Sequence, residues 1–324
     1  MRAVVCKAYG SPEALVVEDV ESPTPGRGQV VVTVKACGVN FPDTLIIRGR
    51  YQFKPPLPFS PGSEVAGIVK TVGEGVETVK PGDRVIAFGA FGGFVEEMLA
   101  DAGAVIPMPA AMDFETAASV VMTYGTDMHA LKDRAHLQPG ETLLVLGAAG
   151  GIGLAAVEIG NAMGAKVIAA ASSDEKLEIC RQHGADAVIN YRTDDLKDRI
   201  NTLTGRHGVD VIVDPVGGAY SEPALRGMAW NGRFLVIGFT AGDIPRIPLN
   251  LPLLKGCSIV GVFWGSFAAR QPRQNQENLR ELLGWFEAGK LKSRISARFP
   301  LERAADALNA ISERKVMGKA VLVV

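Results

Sequence analysis

The sequence predicts an α/β protein in which a doubly wound parallel sheet follows a smaller, β-rich part. Two observations carry that prediction. From Thr142 onward, continuous apolar runs alternate with helical patterns, as expected for strands buried on both faces of a parallel sheet. Before about Pro109, the apolar stretches are short and cut by glycine and proline, as in small barrels or irregular antiparallel sheets.

In the first part, residues 14–17, 30–34, 65–72, Arg84–Phe88 and 94–99 read as strands. Between them, Lys80-Pro81-Gly82-Asp83 is a turn: proline sets φ at one central position and glycine supplies a positive φ at the next. In the second part the predicted order is strand Thr142–Leu146, a helix with Ile152, Ala155, Ala156, Ile159 and Met163 on one face, and strand Lys166–Ala171. Helix 174–183, strand Ala187–Asn190, helix 194–202, strand Val209–Asp214, helix 219–228 and strand 233–238 follow, with a last strand at 257–263. The tail reads as helices at 276–288 and 301–314 and a closing strand at 320–324. Residues 54–61 and 244–252 are proline-rich and read as ordered loops.

Composition bounds the function. The 324 residues hold 34 Lys and Arg against 35 Asp and Glu, so there is no basic footprint for a nucleic acid. Four scattered cysteines (Cys6, Cys37, Cys180, Cys257) form no CxxC pair and suit a reducing compartment. No apolar run approaches the ~18 residues of a membrane span, and Lys7 interrupts the first apolar stretch too early for a signal peptide. The expectation is a cytoplasmic protein with no membrane partner.

The strongest motif is Leu143-Leu-Val-Leu-Gly-Ala-Ala-Gly-Gly-Ile-Gly153. A buried strand turns through small residues into a helix N-terminus, where free N–H groups and the helix dipole favour a pyrophosphate. Ala149, Gly150, Gly151 and Ile152 form the turn, the two glycines allowing close approach of the phosphates; Gly153 lets the helix sit close to the strand. Ala148 holds the place of the fingerprint's first glycine. At the end of the next strand a carboxylate would select NAD, but the residues there are Ser172 and Ser173, with Lys176 shortly beyond. Serines accept a 2′-phosphate that a carboxylate would repel, which favours NADPH over NADH. The alternative makes Ser173 or Asp174 a helix cap and Lys176 a solvated residue.

With these residues in hand, the chain resembles the medium-chain dehydrogenase/reductase superfamily, in its zinc-free quinone oxidoreductase branch (the zeta-crystallin type). The matching pieces are Gly38-Val-Asn-Phe-Pro-Asp43, Pro61-Gly-Ser-Glu-Val-Ala-Gly67, Val79-Lys-Pro-Gly-Asp-Arg-Val85, Ala148–Gly153 and Ile237-Gly-Phe239. The resemblance implies a GroES-like β-barrel substrate domain from residues 1–123 and 266–324. A Rossmann dinucleotide-binding domain, 124–265, would lie between them, with the active site in the interdomain cleft. It also implies no zinc. The zinc-dependent relatives carry a ligand Cys where this chain has Asn40 and Gly-His-Glu where it has Gly62-Ser63-Glu64, and their four-cysteine lobe is missing.

Site residues follow by resemblance. Asn40 would face the nicotinamide or substrate, or else open an Asx turn; Asp43 would take part there or cap a helix at 44–48. Tyr51 would orient an acceptor oxygen or pack in a core. Thr126 would touch the nicotinamide side, although Thr126-Asp127-Met128 replaces the family's Thr-Ala-Tyr. Tyr191 and Arg314 would lie over the adenosine 2′-phosphate. Gly238, Phe239, Phe263 and Trp264 would line the nicotinamide end or belong to the core. The four histidines form no triad and read as solvated or capping residues.

Without a metal Lewis acid, the acceptor must itself be electron-poor. NADPH-dependent reduction of quinones leads; an enoyl-thioester or alkenal reductase and a non-catalytic NADPH-binding protein are the alternatives. The exposed edge of the last parallel strand predicts a homodimer across a two-fold axis.

Overall fold

The computed structural model describes residues 1–324 and divides them into two compact units, Met1–Met122 with Ser293–Val324, and Thr123–Lys292. The chain therefore returns to the first unit at residue 293, not at 266 as expected from sequence.

The first unit opens with strands β1 (Arg2–Val5), β2 (Val16–Asp19) and β3 (Gln29–Val39), helix α1 (Phe41–Ile46), and strands β4 (Glu64–Val72), β5 (Arg84–Phe88), β6 (Glu97–Asp101) and β7 (Val105–Pro107). Helices α2 (Phe114–Ala117) and α3 (Val121–Met128) follow, α3 running on into the second unit. There, β8 (Thr142–Leu146), β9 (Lys166–Ala171), β10 (Ala187–Asn190), β11 (Val209–Asp214), β12 (Met228–Val236) and β13 (Ser258–Gly261) alternate with helices. Those helices are α4 (Gly151–Ala162), α5 (Asp174–Gln182), α6 (Leu196–Leu203), α7 (Ser221–Arg226) and α8 (Asn250–Lys255). After α9 (Trp264–Arg270) and α10 (Pro272–Glu287), the chain returns through β14 (Ile295–Pro300), α11 (Ala304–Ser312) and β15 (Lys319–Val323).

The sheet of the first unit runs β14-β15-β3-β4-β5-β7, with β6 also on β3. Residues 29–33 of β3 pair with β6 and residues 36–39 with β15. Its register against β4 shifts at Val31/Val32, within the stretch on β6, and again at Val34/Ala36, between the two partners. Its core gathers Val32, Val65, Val85, Phe94 and Met98 with Ile46 of α1 and Leu308 of α11. The half-buried strand β14, with its alternating pattern, escaped the sequence reading.

The second unit is a fully parallel sheet in the order β10-β9-β8-β11-β12-β13. Successive strands step outward from β8 in one direction and then the other. The reversal leaves a crevice at the carboxyl ends of β8 and β11, where dinucleotides bind in such sheets. Four of the six strands have the expected bounds. Strand β12 starts earlier, at Met228 beside Val209, ahead of a bend at Asn231 with φ 61°.

Helices α9 and α10 stay with the second unit because their apolar and amide faces are used there. Phe267 stacks on His129 at 3.8 Å between ring centroids, and Phe286 meets Tyr124 edge-on at 5.0 Å. Gln274 and Asn278 donate to the two carboxylate oxygens of Asp133 at 3.0 and 2.8 Å.

Candidate active site

The phosphate-binding turn is built as the motif requires. Gly147 adopts φ 60°, so the left-handed bend falls one residue before the fingerprint's first position, and Ala148 fits there fully buried. The Ala148 amide donates to Ala170 O at 3.0 Å, pinning the turn to β9. Gly150 caps α4, and Leu154 N donates to its carbonyl at 2.8 Å. A Cβ on Gly153 would stand 2.3 Å from Gly147 O, so only glycine lets the helix enter this close. Ala149 is buried, while Gly150, Gly151 and Ile152 are half-buried at the start of α4.

At the end of β9, four predicted residues converge. Ser173 is the N-cap of α5, its Oγ accepting from Lys176 N at 3.4 Å. The Lys176 ammonium reaches Ser172 Oγ at 3.5 Å. Asn190 pairs with Ala171, which sets Tyr191 beside Ser172, with Tyr191 N donating to Ala171 O at 3.2 Å. The nearby Asp174 carboxylate accepts from Asn190 Nδ2 at 2.9 Å. The end of β9 thus gathers two hydroxyls and an ammonium next to the Tyr191 backbone, with the Asp174 carboxylate held by Asn190.

Beyond β11 lies a residue that the sequence reading passed over. Asp214 is buried, its Oδ1 accepting from Val216 N and Gly217 N, both at 2.8 Å, and its Oδ2 from Ser221 Oγ at 2.6 Å. Burial raises its pKa, against these three hydrogen bonds. An acidic residue following the apolar run Val211–Val213 was the available signal. Gly217 (φ 71°) abuts Phe239, with a Cβ there 2.8 Å from the Phe239 ring, so the segments after β11 and β12 pack together. Gly238 and Phe239 are half-buried and Phe263 is exposed. Trp264 is buried, its ring against Gly125 and its Nε1 bonded to Asn275 Oδ1 at 2.9 Å, a packing role. Thr126 is buried on α3, next to an Asp127 whose carboxyl oxygens have no partner.

Two histidines pair with acids, His129 with the half-buried Asp133 and His183 with the buried Glu158. His129 Nδ1 lies 2.8 Å from Asp133 Oδ2, and His183, which also caps α5, lies against Glu158. Glu158 further accepts from Tyr124 OH at 2.8 Å and Lys292 N at 2.9 Å.

The first unit holds a buried charged cluster. Asn40 is 6% exposed, its Nδ2 donating to Glu64 Oε1 at 2.9 Å and its Oδ1 accepting from the Lys319 ammonium at 2.5 Å. Lys319 also meets Glu64 Oε1 at 2.8 Å, and Glu64 Oε2 accepts from Met122 N at 2.9 Å. The Lys319 ammonium thus bridges Asn40 and Glu64 inside the first unit. Asn40 caps α1, which begins at Phe41, and Asp43 accepts from Asn40 N at 2.8 Å. Burial raises Asp43 to about 7, with the Glu64 charge adding to the rise and Asn40, Lys319 and Gly62 opposing it. Tyr51 packs half-buried on this unit's core, its phenol pKa raised by burial and then by Asp43. Arg314 is exposed, in the same unit, with φ 58°. Lys319 escaped the sequence reading because it stands in an apolar run, Gly318-Lys-Ala-Val-Leu-Val323.

A parallel sheet with this switch point and phosphate turn defines a dinucleotide-binding protein of the Rossmann type. Residues 26–110 match the family described as "Alcohol dehydrogenase GroES-like domain" and residues 151–287 that described as "Zinc-binding dehydrogenase". The chain is 43% identical to the quinone oxidoreductase-like protein 2 homolog of Nematostella vectensis over 99% of its length and 88% of that protein's. To the quinone oxidoreductase of Rattus norvegicus it is 38% identical, over 99% and 97%. The Escherichia coli quinone oxidoreductase structure, described as complexed with NADPH, superposes with a TM-score of 0.93 at 30% identity, covering 100% of both chains. The chain belongs to the medium-chain dehydrogenase/reductase family, quinone oxidoreductase type, and is an oxidoreductase.

Proposed function

We propose that this chain is a zinc-independent, NADPH-dependent reductase of quinones. The observation that carries the reading is the cradle of Ser172, Ser173, Lys176 and Tyr191, with the Asp174 carboxylate held by Asn190. It fits a 2′-phosphate, and the close turn at Gly153 fits the pyrophosphate beside it. Two structural relatives described as complexed with NADPH support the same choice. When bound, NADPH supplies a hydride; with one proton, a quinone becomes its hydroquinone.

The chain's residues then bind and orient. The amides at the start of α4 face the pyrophosphate, and Lys176 neutralises the phosphate charge. Thr126, Gly238, Phe239 and Phe263 border the nicotinamide end, and Tyr51 orients the acceptor oxygen. Asn40, braced by Glu64 and Lys319, and Asp43 behind it give that side of the site its fixed polarity. The test is NADPH oxidation with a panel of quinones, enals and enoyl-CoA thioesters, with and without zinc or a chelator. Turnover of the quinones, indifferent to zinc, is expected; turnover of the thioesters or enals alone replaces quinone with an activated alkene.

The same reading includes a homodimer. Strand β13 ends the parallel sheet, and just before it Leu249, Leu253 and Leu254 are 81%, 77% and 70% exposed. An unpaired edge beside exposed leucines calls for cover. Light scattering should give twice the chain mass, and a monomer mass at every concentration refutes the dimer.

A further inference from the structure

Tyr191 and Tyr220 lie with ring centroids 4.3 Å apart and planes inclined by 42°. They come from separate connections. Tyr191 follows β10, and Tyr220 ends the 3-10 turn Gly218–Tyr220 that leads into α7. Both are half-buried, resting on the apolar cluster that holds Leu144, Ile189 and Ile212. Neither is sealed in the core.

The two rings have unequal anchorage. The segment carrying Tyr220 is held by the buried Asp214, which binds Val216 N and Gly217 N ahead of it and the hydroxyl of Ser221, the next residue. Tyr191 follows the short edge strand β10 and precedes a turn around Thr193 and Asp194. The ring of Tyr220 thus rests on a firmly bonded segment and packs against Tyr191, whose backbone follows the Asn190–Ala171 pair and so neighbours Ser172.

We propose that Tyr220 is a positioning residue for cofactor selectivity: it holds Tyr191 so that the Tyr191 hydroxyl meets a dinucleotide bearing a 2′-phosphate on its adenosine. The inference rests on the NADPH reading above. Tyr220 would act through the ring it packs against, that of Tyr191. Ordering one rotamer-rich side chain in advance of binding is worth about 2- to 12-fold in affinity.

The test is a fluorescence titration with NADPH and with NADH, run on the unmodified protein and on Tyr220→Ala, Tyr220→Leu, Tyr220→Phe, Tyr191→Phe and Tyr191→Phe/Tyr220→Ala. Tyr220→Ala and Tyr220→Leu should weaken NADPH by about 2- to 12-fold and leave NADH within about 2-fold. Tyr220→Phe keeps the stack and should retain the NADPH affinity. In the Tyr191→Phe background, Tyr220→Ala should cost nothing further, because no hydroxyl remains to position. The leucine variant keeps apolar cover over the cluster, so the comparison survives if the alanine variant unfolds. Equal weakening of both cofactors, or full additivity of the two substitutions, overturns the proposal. If Tyr191→Phe weakens NADPH while neither Tyr220→Ala nor Tyr220→Leu does, Tyr220 alone is wrongly assigned. If Tyr191→Phe is itself silent, the placing of Tyr191 falls and takes the proposal with it. A preference for NADH in the unmodified protein removes the NADPH reading instead.

Discussion

Replacing Asp127 with asparagine should stabilise the protein, and by an amount that grows with pH. Asp127 is fully buried on α3, neither carboxyl oxygen has a hydrogen-bond partner, and burial alone raises its pKa well above 3.8. In the unfolded chain this group ionises near its ordinary pKa, while in the folded chain it stays protonated. Below about pH 3.8 both states carry the proton and the residue adds no pH dependence. Above that, the unfolded state is favoured by about 1.4 kcal/mol for each pH unit until the folded pKa is passed. An asparagine keeps the shape and is also unpartnered, so the two proteins should be alike near pH 4 and diverge above it. Asp43 and Asp214 are raised too and steepen the profile of both proteins, so the difference between variants isolates Asp127. The assay is urea unfolding from pH 4 to 8, followed by tryptophan fluorescence. All three tryptophans (Trp230, Trp264, Trp285) lie in Thr123–Lys292, the unit that holds Asp127. A difference that is flat with pH, or an asparagine variant less stable throughout, would show that the carboxyl is ionised or partnered and refute the reasoning.

Lys176→Ala should weaken NADPH by about 10- to 150-fold and scarcely touch NADH, as expected for one charge-assisted bond to a phosphate; equal losses in a titration would remove that lysine from the cradle. Ser172→Asp should shift preference toward NADH, read as the ratio of the two Kd values. Lys319→Met breaks a buried pair whose side chains are 4% and 0% exposed, and should cost about 3–5 kcal/mol in urea unfolding by leaving Glu64 without its partner; a loss under about 1 kcal/mol would refute that pairing as a source of stability. Asp43→Asn should gain stability over the acid form as pH rises from 3.8 to 7, about 4 kcal/mol in all, and no further above 7. A gain that continues past pH 8 would contradict the value for that carboxyl.

The sequence by itself determined the parallel sheet, because a strand buried on both faces is apolar through its middle, with polar residues at its ends. That is why Thr142–Leu146, Lys166–Ala171, Ala187–Asn190 and Val209–Asp214 could be bounded to the residue. It also determined the phosphate turn, since a close helix entry admits only glycine at Gly153. The tertiary structure alone decided what depends on partners distant in the chain. Whether Asn40 points outward or inward could not be read locally, because its amide is claimed by Glu64 and by Lys319, 279 positions away. The return at residue 293 rather than 266 rests on Phe267, Gln274, Asn278 and Phe286 finding partners on α3 and the helical turn His129–Arg134. Asp127 and Asp214, two buried acids in apolar surroundings, look alike in the sequence. Only the fold gives one of them three donors and the other none. Local pattern records which face of an element must be dry; which polar group is satisfied there is set by chain segments that meet only on folding.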